Sequence, residues 1–480
     1  MNTSLNAGRR RADLDHLASA PVDLLVIGGG VTGAGVALDA ASRGLSVCLV
    51  EAHDLAFGTS RWSSKLVHGG LRYLAQGEVG VAYESAVERG ILMTRTAPHL
   101  VRALPQLVPL HGKAHDPVVM AGLRAGDVLR RLARTPSRVL PAPRRVPAVE
   151  ASALAPGLRR AGLRGGLLSF DGQLVDDARL VVALARTAAG YGARIVTRAR
   201  ATSLSGRGAD VVDTLTGESL HIKARAVVNA TGVWAGELVP DVRLRPSRGS
   251  HLVLSAATVG LATTALTVPV PGARNRFALV LPQRDGRVYV GLTDEPVDGP
   301  IPDVPTVPQS DVDFLLGVAS SVLERELTRS DVQGAFAGLR PLLDTGDGPS
   351  AELSRGHAVL TKDGVTTVVG GKLTTYRRMA AKAVDATALT TTRSLTARIP
   401  LVGAVPAAGP PHLVARYGTE APDVAEVGEV AWAVRHEGAL TADDVLDRRT
   451  RIGLVPTDRT AAEPAVTAEV AAELAALTSA

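Results

Sequence analysis

The sequence predicts an α/β protein in three parts: a parallel-sheet nucleotide-binding domain, a mixed-sheet domain interleaved with it, and a small helical C-terminal domain. Three observations predict it. Residues 22–51 read strand, glycine turn, helix, strand; β-rich segments alternate over about 243–295; and from Pro400 the texture changes to short helical segments, Pro-rich turns and an Ala/Glu tail. A chain of 480 residues has room for two or three domains. With 46% hydrophobic and 21% charged residues it can fill packed cores, which excludes a disordered, collagen-like or disulfide-stapled protein.

Val22 to Ile27 and Ser46 to Val50 are short apolar runs, and Ala34 to Arg43 between them is rich in helix formers, so the three form a βαβ unit. Gly28-Gly29-Gly30-Val31-Thr32-Gly33 fits G-x-G-x-x-G at the strand–helix junction. Gly28 permits the tight turn, Gly30 lets the backbone approach a pyrophosphate, and Gly33 allows close helix–strand packing. Val31 and Thr32 lie in this motif as cofactor-binding candidates, just ahead of a helix whose N-terminal N–H groups favour phosphate. Glu51 ends the second strand, where a carboxylate accepts hydrogen bonds from an adenosine ribose. The whole context predicts a Rossmann-type dinucleotide site.

Further along, Val79 to Pro98 reads as a helix, and the Arg- and Pro-dense residues 126–160 read as solvated surface or as a face for anionic lipid. Asp177 to Ala189 reads as a helix, Arg194 to Arg200 and Ala224 to Ala230 as strands, and Asp311 to Leu327 as a helix. Leu252 to Val270 carries no charge, but its Ser, Thr, Ala, Gly and Pro content reads as two short buried strands joined by a loop, not a membrane span. Arg9-Arg10-Arg11 has no apolar segment behind it and is not an export signal.

The net charge is +6, and lysine accounts for only six of the 53 basic residues. That skew, with 3% aromatics, weighs against a nucleic-acid partner while leaving attraction to an anionic membrane surface open. The single cysteine, Cys48, excludes an internal disulfide and a thiolate zinc site, no metal is expected, and the setting reads as cytoplasmic.

Two later features favour FAD over NAD. Ala230-Thr231-Gly232 ends one apolar strand and Gly370-Gly371 follows another, and several separated loops on one ligand suit a long extended cofactor. Between Gly58 and Leu74, the residues Thr59, Ser60, Ser64, Lys65 and Leu66 read as a cofactor-facing loop. In the same segment His68 either takes a proton from an alcohol or only hydrogen-bonds the backbone or cofactor. Arg72 is placed to hold a substrate anion through a bidentate contact, and Tyr73 to donate to a phosphate oxygen or simply to pack. Gly371-Lys372-Leu373-Thr374 is similarly framed. Two of the six lysines, Lys65 and Lys372, fall in these segments, where a compact charge of adjustable pKa serves and arginine does not. Arg340, ahead of the rigid Pro341, completes an anion clamp.

These residues resemble the FAD-dependent, quinone-linked glycerol-3-phosphate dehydrogenases among the D-amino-acid-oxidase-like flavoproteins. The likeness runs through Gly28 to Glu51, Ser63 to Leu74, Ala97-Pro98-His99-Leu100, Asp171 to Leu180, Gly338 to Leu342, Gly371 to Arg377 and Asp443 to Thr450, or about residues 20–455. It implies an FAD-dependent oxidoreductase over 20–400, with a substrate-binding domain at roughly 75–170 and 240–340, and a helical C-terminal domain over 401–480. It also implies oxidation of sn-glycerol 3-phosphate to dihydroxyacetone phosphate. Arg72, Tyr73 and Arg340 would bind phosphate or glycerol oxygens, Lys372 would stand by the reacting oxygen, and His68 would be the general base. Electrons would pass to a membrane quinone from a peripheral position on the cytoplasmic face. An oxygen-using oxidase, another small 2-hydroxy or amino acid as substrate, and a homodimer stay open. The chain departs from the family pattern at Gln283, Leu292, Phe170 and Gly356; Leu292 loses a hydroxyl near the expected active-site sheet.

Overall fold

The computed structural model describes residues 2–75, 77–111, 116–272, 276–344, 356–405 and 407–479. Two sheets organise them. The first places its strands in the order His357–Lys362, Val365–Gly370, Ser219–Asn229, Val22–Ile27, Val47–Val50, Arg194–Val196, parallel from Val365–Gly370 onward, with antiparallel pairing at the His357–Lys362 edge and where the hairpin Ala199–Ser205/Gly208–Asp213 joins Ser219–Asn229. Leu24 and Val26 point into one apolar layer and Leu25 and Ile27 into another, which is why the strand reads as an unbroken apolar run. The helices Val31–Ser42, Asp177–Gly190 and Tyr376–Ala386 supply the first layer. The helix Ala7–Ser19 and the hairpin Ala199–Ser205/Gly208–Asp213 supply the second. The arginine triplet, absorbed by no motif, has a packing role: Arg9 donates to the Ala189 carbonyl at 3.1 Å and Arg10 to the Thr197 carbonyl at 2.7 Å.

The second sheet is mixed. It is antiparallel except where Ala265–Pro269 runs parallel to Val101–His111, and its centre is built from Ser247–Ser255, Phe277–Pro282, Arg287–Gly291 and Gly334–Arg340. One face packs on the helices Ala148–Leu154 and Gln309–Ser320. The other carries Val253, Leu281, Tyr289 and Phe336 toward Trp62, Leu66, Leu454 and Val455. The chargeless stretch Leu252–Val270 holds the end of the strand Ser247–Ser255 and the short strand Ala265–Pro269, joined through a helical turn, Ala256–Val259, where a loop was expected, and no helix among the described residues is long and apolar enough to cross a membrane.

Three elements differ from expectation. The helix from Val79 ends at Ile91 and loosens into a π turn, Leu92–Thr96, because Pro98 drives Ala97 out of helical backbone. The strand expected over Arg194–Arg200 is split by Arg198 at φ +57°, so that Ala199–Ser205 leaves the parallel sheet for the hairpin. The helix near Asp311 spans Gln309–Ser320 and stops short of Leu327, whose neighbour Leu323 bridges to Leu158. Beyond Pro400 the chain forms the helices Pro411–Tyr417, Ala421–Val427, Glu429–His436, Ala442–Arg448 and Pro456–Ser479.

Candidate active site

The carboxyl ends of Val22–Ile27, Val47–Val50 and Ser219–Asn229 open on one cavity of about 550 Å³, within the usual range for ligand sites. At one end lies the glycine turn. Gly28 has φ +105°, and a Cβ there would stand 2.7 Å from the Ala230 carbonyl oxygen. A Cβ on Gly33 would fall 1.9 Å from the Gly28 carbonyl oxygen. Both positions therefore require glycine, and Gly33 sits beneath the cavity floor. Gly30, Val31 and Thr32 line it, and Ser60 Oγ accepts from the Val31 amide at 2.9 Å, capping the helix. Burial pushes the Glu51 carboxyl above its ordinary range, and its two oxygens accept from the Gly29 and His53 amides at 2.6 and 2.8 Å. Glu51 thus holds the glycine turn in shape as well as lining the cavity.

The walls continue through Ala230, Thr231 and Gly232, through Thr59, Ser60, Ser64 and Leu66, and through Gly371, Lys372, Leu373 and Thr374. Thr59 Oγ1 donates to the Leu339 carbonyl at 2.6 Å and so ties the loop after the glycine turn to the second sheet. Lys65 does not join the wall. Its side chain is buried below, with Nζ donating to the carbonyls of Arg61 and Ser63 and to Asp177 at 2.8, 3.1 and 2.9 Å. Three acceptors converge on one point, which suits an ammonium and not a planar guanidinium. Burial alone would raise the Asp177 carboxyl, but Lys65 and Arg451 hold it down at about 2.

At the far end stand His68, Tyr73, Arg340 and Lys372, all lining the cavity. Arg340 donates to Asp294 Oδ1 at 3.1 Å, Ser247 Oγ at 3.2 Å and the Thr293 carbonyl at 3.1 Å, contacts that fix the plane of its guanidinium. His68 is half-buried, and its amide donates to Thr374 Oγ1 at 3.3 Å. Lys372 Nζ donates to Ser85 Oγ at 2.6 Å and lies 3.7 Å from the centre of the Tyr73 ring. Arg72 falls in the short helix Leu71–Ala75, and its side chain lies outside the described residues. Leu292 lines the cavity and puts an apolar side chain into this wall.

His251 was not singled out by the sequence. Its Nε2 meets Ser64 Oγ at 2.8 Å, its ring stacks on Phe336, and its Nδ1 is a buried polar atom without a hydrogen-bond partner. Burial, helped by Lys65 and Arg340, pushes it down to about 3, so the imidazole is neutral at neutral pH. A histidine entering an apolar strand directly after Gly249-Ser250 was the available signal. The C-terminal arginines, two of them inside the Asp443–Thr450 segment, had been given no role. Arg448 and Arg449 pair with buried Asp54, three residues after Glu51, and Arg451 donates to Asp176 and Asp177 at 2.9 and 2.6 Å. The segment from Asp443 to Thr450, with Arg451 just after it, therefore ties down the loop after Glu51 and the start of the helix Asp177–Gly190.

The glycine cradle, the helix N-terminus and the long cavity reaching a cationic end fit an extended dinucleotide. Among the described residues no cluster of three or more His, Cys, Asp or Glu is placed to hold a metal.

Residues 23–377 match the family model described as FAD dependent oxidoreductase, and residues 426–478 that of the C-terminal domain of alpha-glycerophosphate oxidase. The chain is 53% identical to glycerol-3-phosphate dehydrogenase 1 of Mycobacterium tuberculosis, covering 95% of this chain and 96% of that protein. It is 36% identical to glycerol-3-phosphate dehydrogenase 2 of the same organism, over 94% and 84% of the two chains. The solved glycerol-3-phosphate dehydrogenase from Bacillus halodurans complexed with FAD is similar at a TM-score of 0.77 and 26% identity, covering 98% of this chain and 94% of that one.

Proposed function

The chain belongs to the FAD-dependent glycerol-3-phosphate dehydrogenases, and on that premise we propose that it oxidises sn-glycerol 3-phosphate to dihydroxyacetone phosphate and passes the electrons to a membrane quinone. The observation that carries the reading is the single cavity that runs from the Gly28 turn to Arg340 and Lys372.

Gly28, Gly30, Val31, Thr32, Glu51, Ala230 to Gly232 and Gly371 to Thr374 line the cavity and would hold FAD, whose chemistry there would be hydride acceptance from C2. Arg340, whose plane is set by Asp294, Ser247 and Thr293, takes phosphate oxygens by its fork, and Arg72 and Tyr73 are assigned the remaining phosphate or glycerol oxygens. His68 receives the C2 hydroxyl proton, and the Lys372 ammonium stabilises the oxygen as it becomes a carbonyl. An apolar Leu292 helps keep water from the reacting carbon.

The helix Asp116–Leu132 supports the membrane arm of the proposal. Its exposed face carries Val118, Val128 and Leu132, at 73%, 52% and 60% exposure, flanked by exposed Arg124 and Arg131, while its one interior acid, Asp127, is buried and pairs with both Arg130 and Arg131. An apolar strip edged by arginines is complementary to an anionic lipid surface. Leu71, Val79 and Tyr83 are also exposed on the adjoining helices, and Leu71 packs so tightly on Gly126 that a Cβ there would be 2.4 Å from it. Tyr73, two residues from Leu71, lines the cavity, so the strip borders the site.

The test is an anaerobic flavin spectrum before and after sn-glycerol 3-phosphate. Bleaching of the oxidised bands is expected; a flavin that stays oxidised refutes the substrate. Quinone-analogue reduction exceeding peroxide yield is expected for the acceptor, and the reverse ratio makes the protein an oxidase.

A further inference from the structure

The helix Val79–Ile91 holds three buried polar residues on its inner side. Glu88 pairs with Arg377, and Arg89 pairs with Asp171, which itself accepts from the Gly69 amide at 3.2 Å. These contacts pin the helix to both segments that bound the cationic end of the cavity. Between them Ser85, with no exposed surface, faces Lys372. Its Oγ donates to the Val81 carbonyl at 2.7 Å, which commits the hydroxyl proton and leaves its lone pairs for the Lys372 ammonium at 2.6 Å. The Tyr73 ring closes on the ammonium at 3.7 Å. The lysine stem is long and flexible, and fixing its head carries an entropic cost. A carboxylate at residue 85 would fix it too, but would neutralise the charge that the reacting oxygen needs; a hydroxyl orients without neutralising.

We propose that Ser85 is the positioning residue for Lys372: its hydroxyl, opposite the Tyr73 ring, sets where the ammonium stands along the cavity. The inference rests on the role given to Lys372 above. Ser85→Ala removes only an oxygen from a helix, and the double variant with Lys372→Met tests whether the serine acts through the lysine. Ser85→Ala should retain flavin and thermal midpoint while slowing anaerobic flavin reduction about ten- to a hundredfold, with kcat falling more than KM changes. The Ser85→Ala/Lys372→Met enzyme should be no slower than Lys372→Met alone. Parental reduction in Ser85→Ala beside a slow Lys372→Met overturns the inference and spares the role of Lys372. Losses that multiply in the double variant also overturn it, since they would make Ser85 an independent packing residue. A Lys372→Met enzyme that reduces at the parental rate removes both.

Discussion

Arg340→Ala separates substrate binding from cofactor binding. The guanidinium is held by oxygens of Ser247, Thr293 and Asp294, and its side chain is about one-fifth exposed, with 20% of its surface open to solvent. Truncating one partner of a fully desolvated charge pair costs ~2–5 kcal/mol. Residual solvent places Arg340 in the lower part of that range, at ~2–3.5 kcal/mol, or roughly 30- to 400-fold in kcat/KM, most of it in KM. The cost has two sources. One is the lost contact to phosphate. The other is Asp294, whose carboxylate loses its cation and then faces a dianion. Arg340→Ala/Asp294→Asn should therefore recover part of the loss, and Arg340→Lys should fall between, keeping the charge but not the fork. The assay is anaerobic flavin reduction against sn-glycerol 3-phosphate and against glycerol, which has no phosphate. Parental kcat/KM in Arg340→Ala, or an equal loss with glycerol, would refute a phosphate-binding role.

Gly33→Ala places a Cβ 1.9 Å from a backbone oxygen of the glycine turn, so the purified protein should lose most of its bound flavin, read as the ratio of flavin to protein absorbance. Asp177→Asn removes the negative charge, and one of the two carboxylate oxygens, that hold Ser63, Lys65 and Arg451 inside the core, and denaturant unfolding should show about 3–5 kcal/mol lost at neutral pH. His251 is held neutral in the fold down to about pH 3 but is protonated in the unfolded chain below its ordinary value of 6.5. The unfolded state binds the extra proton, so stability is full above that value and falls as pH drops through the window from 6.5 toward 3, by up to about 1.4 kcal/mol per pH unit. His251→Phe, which keeps a ring against Phe336, should flatten that slope in unfolding curves taken across the window.

Much of the fold was legible because its signals are local. The βαβ unit announces itself through two apolar runs of strand length around a glycine turn, and the sterics at Gly28 and Gly33 explain why no other residue serves there. The boundaries that moved were set by single backbone events. Arg198 at positive φ and the pre-proline restriction at Ala97 leave almost no trace in a hydrophobic pattern. The N-terminal arginine triplet read as an empty export signal because its partners, the Ala189 and Thr197 carbonyls, lie far along the chain.

The site divides along the same line. Residues of the glycine-framed loops that line the cavity were legible, since those loops bring their own punctuation. Residues that act by touching other residues were not. His251 lies in a strand interior, Ser85 in an ordinary helix, and the arginines Arg448, Arg449 and Arg451 more than 390 residues from Asp54 or more than 270 from Asp176 and Asp177. The scarcity of lysine was informative in an unforeseen way. It marked Lys65 and Lys372 as positions where arginine will not fit, and the structure gives the reason for each: a point where three acceptors converge for Lys65, a hydroxyl facing an aromatic ring for Lys372. Composition could tell that a compact cation was needed at both. Only the packing tells that one braces the loop beneath the cavity while the other faces the cavity itself.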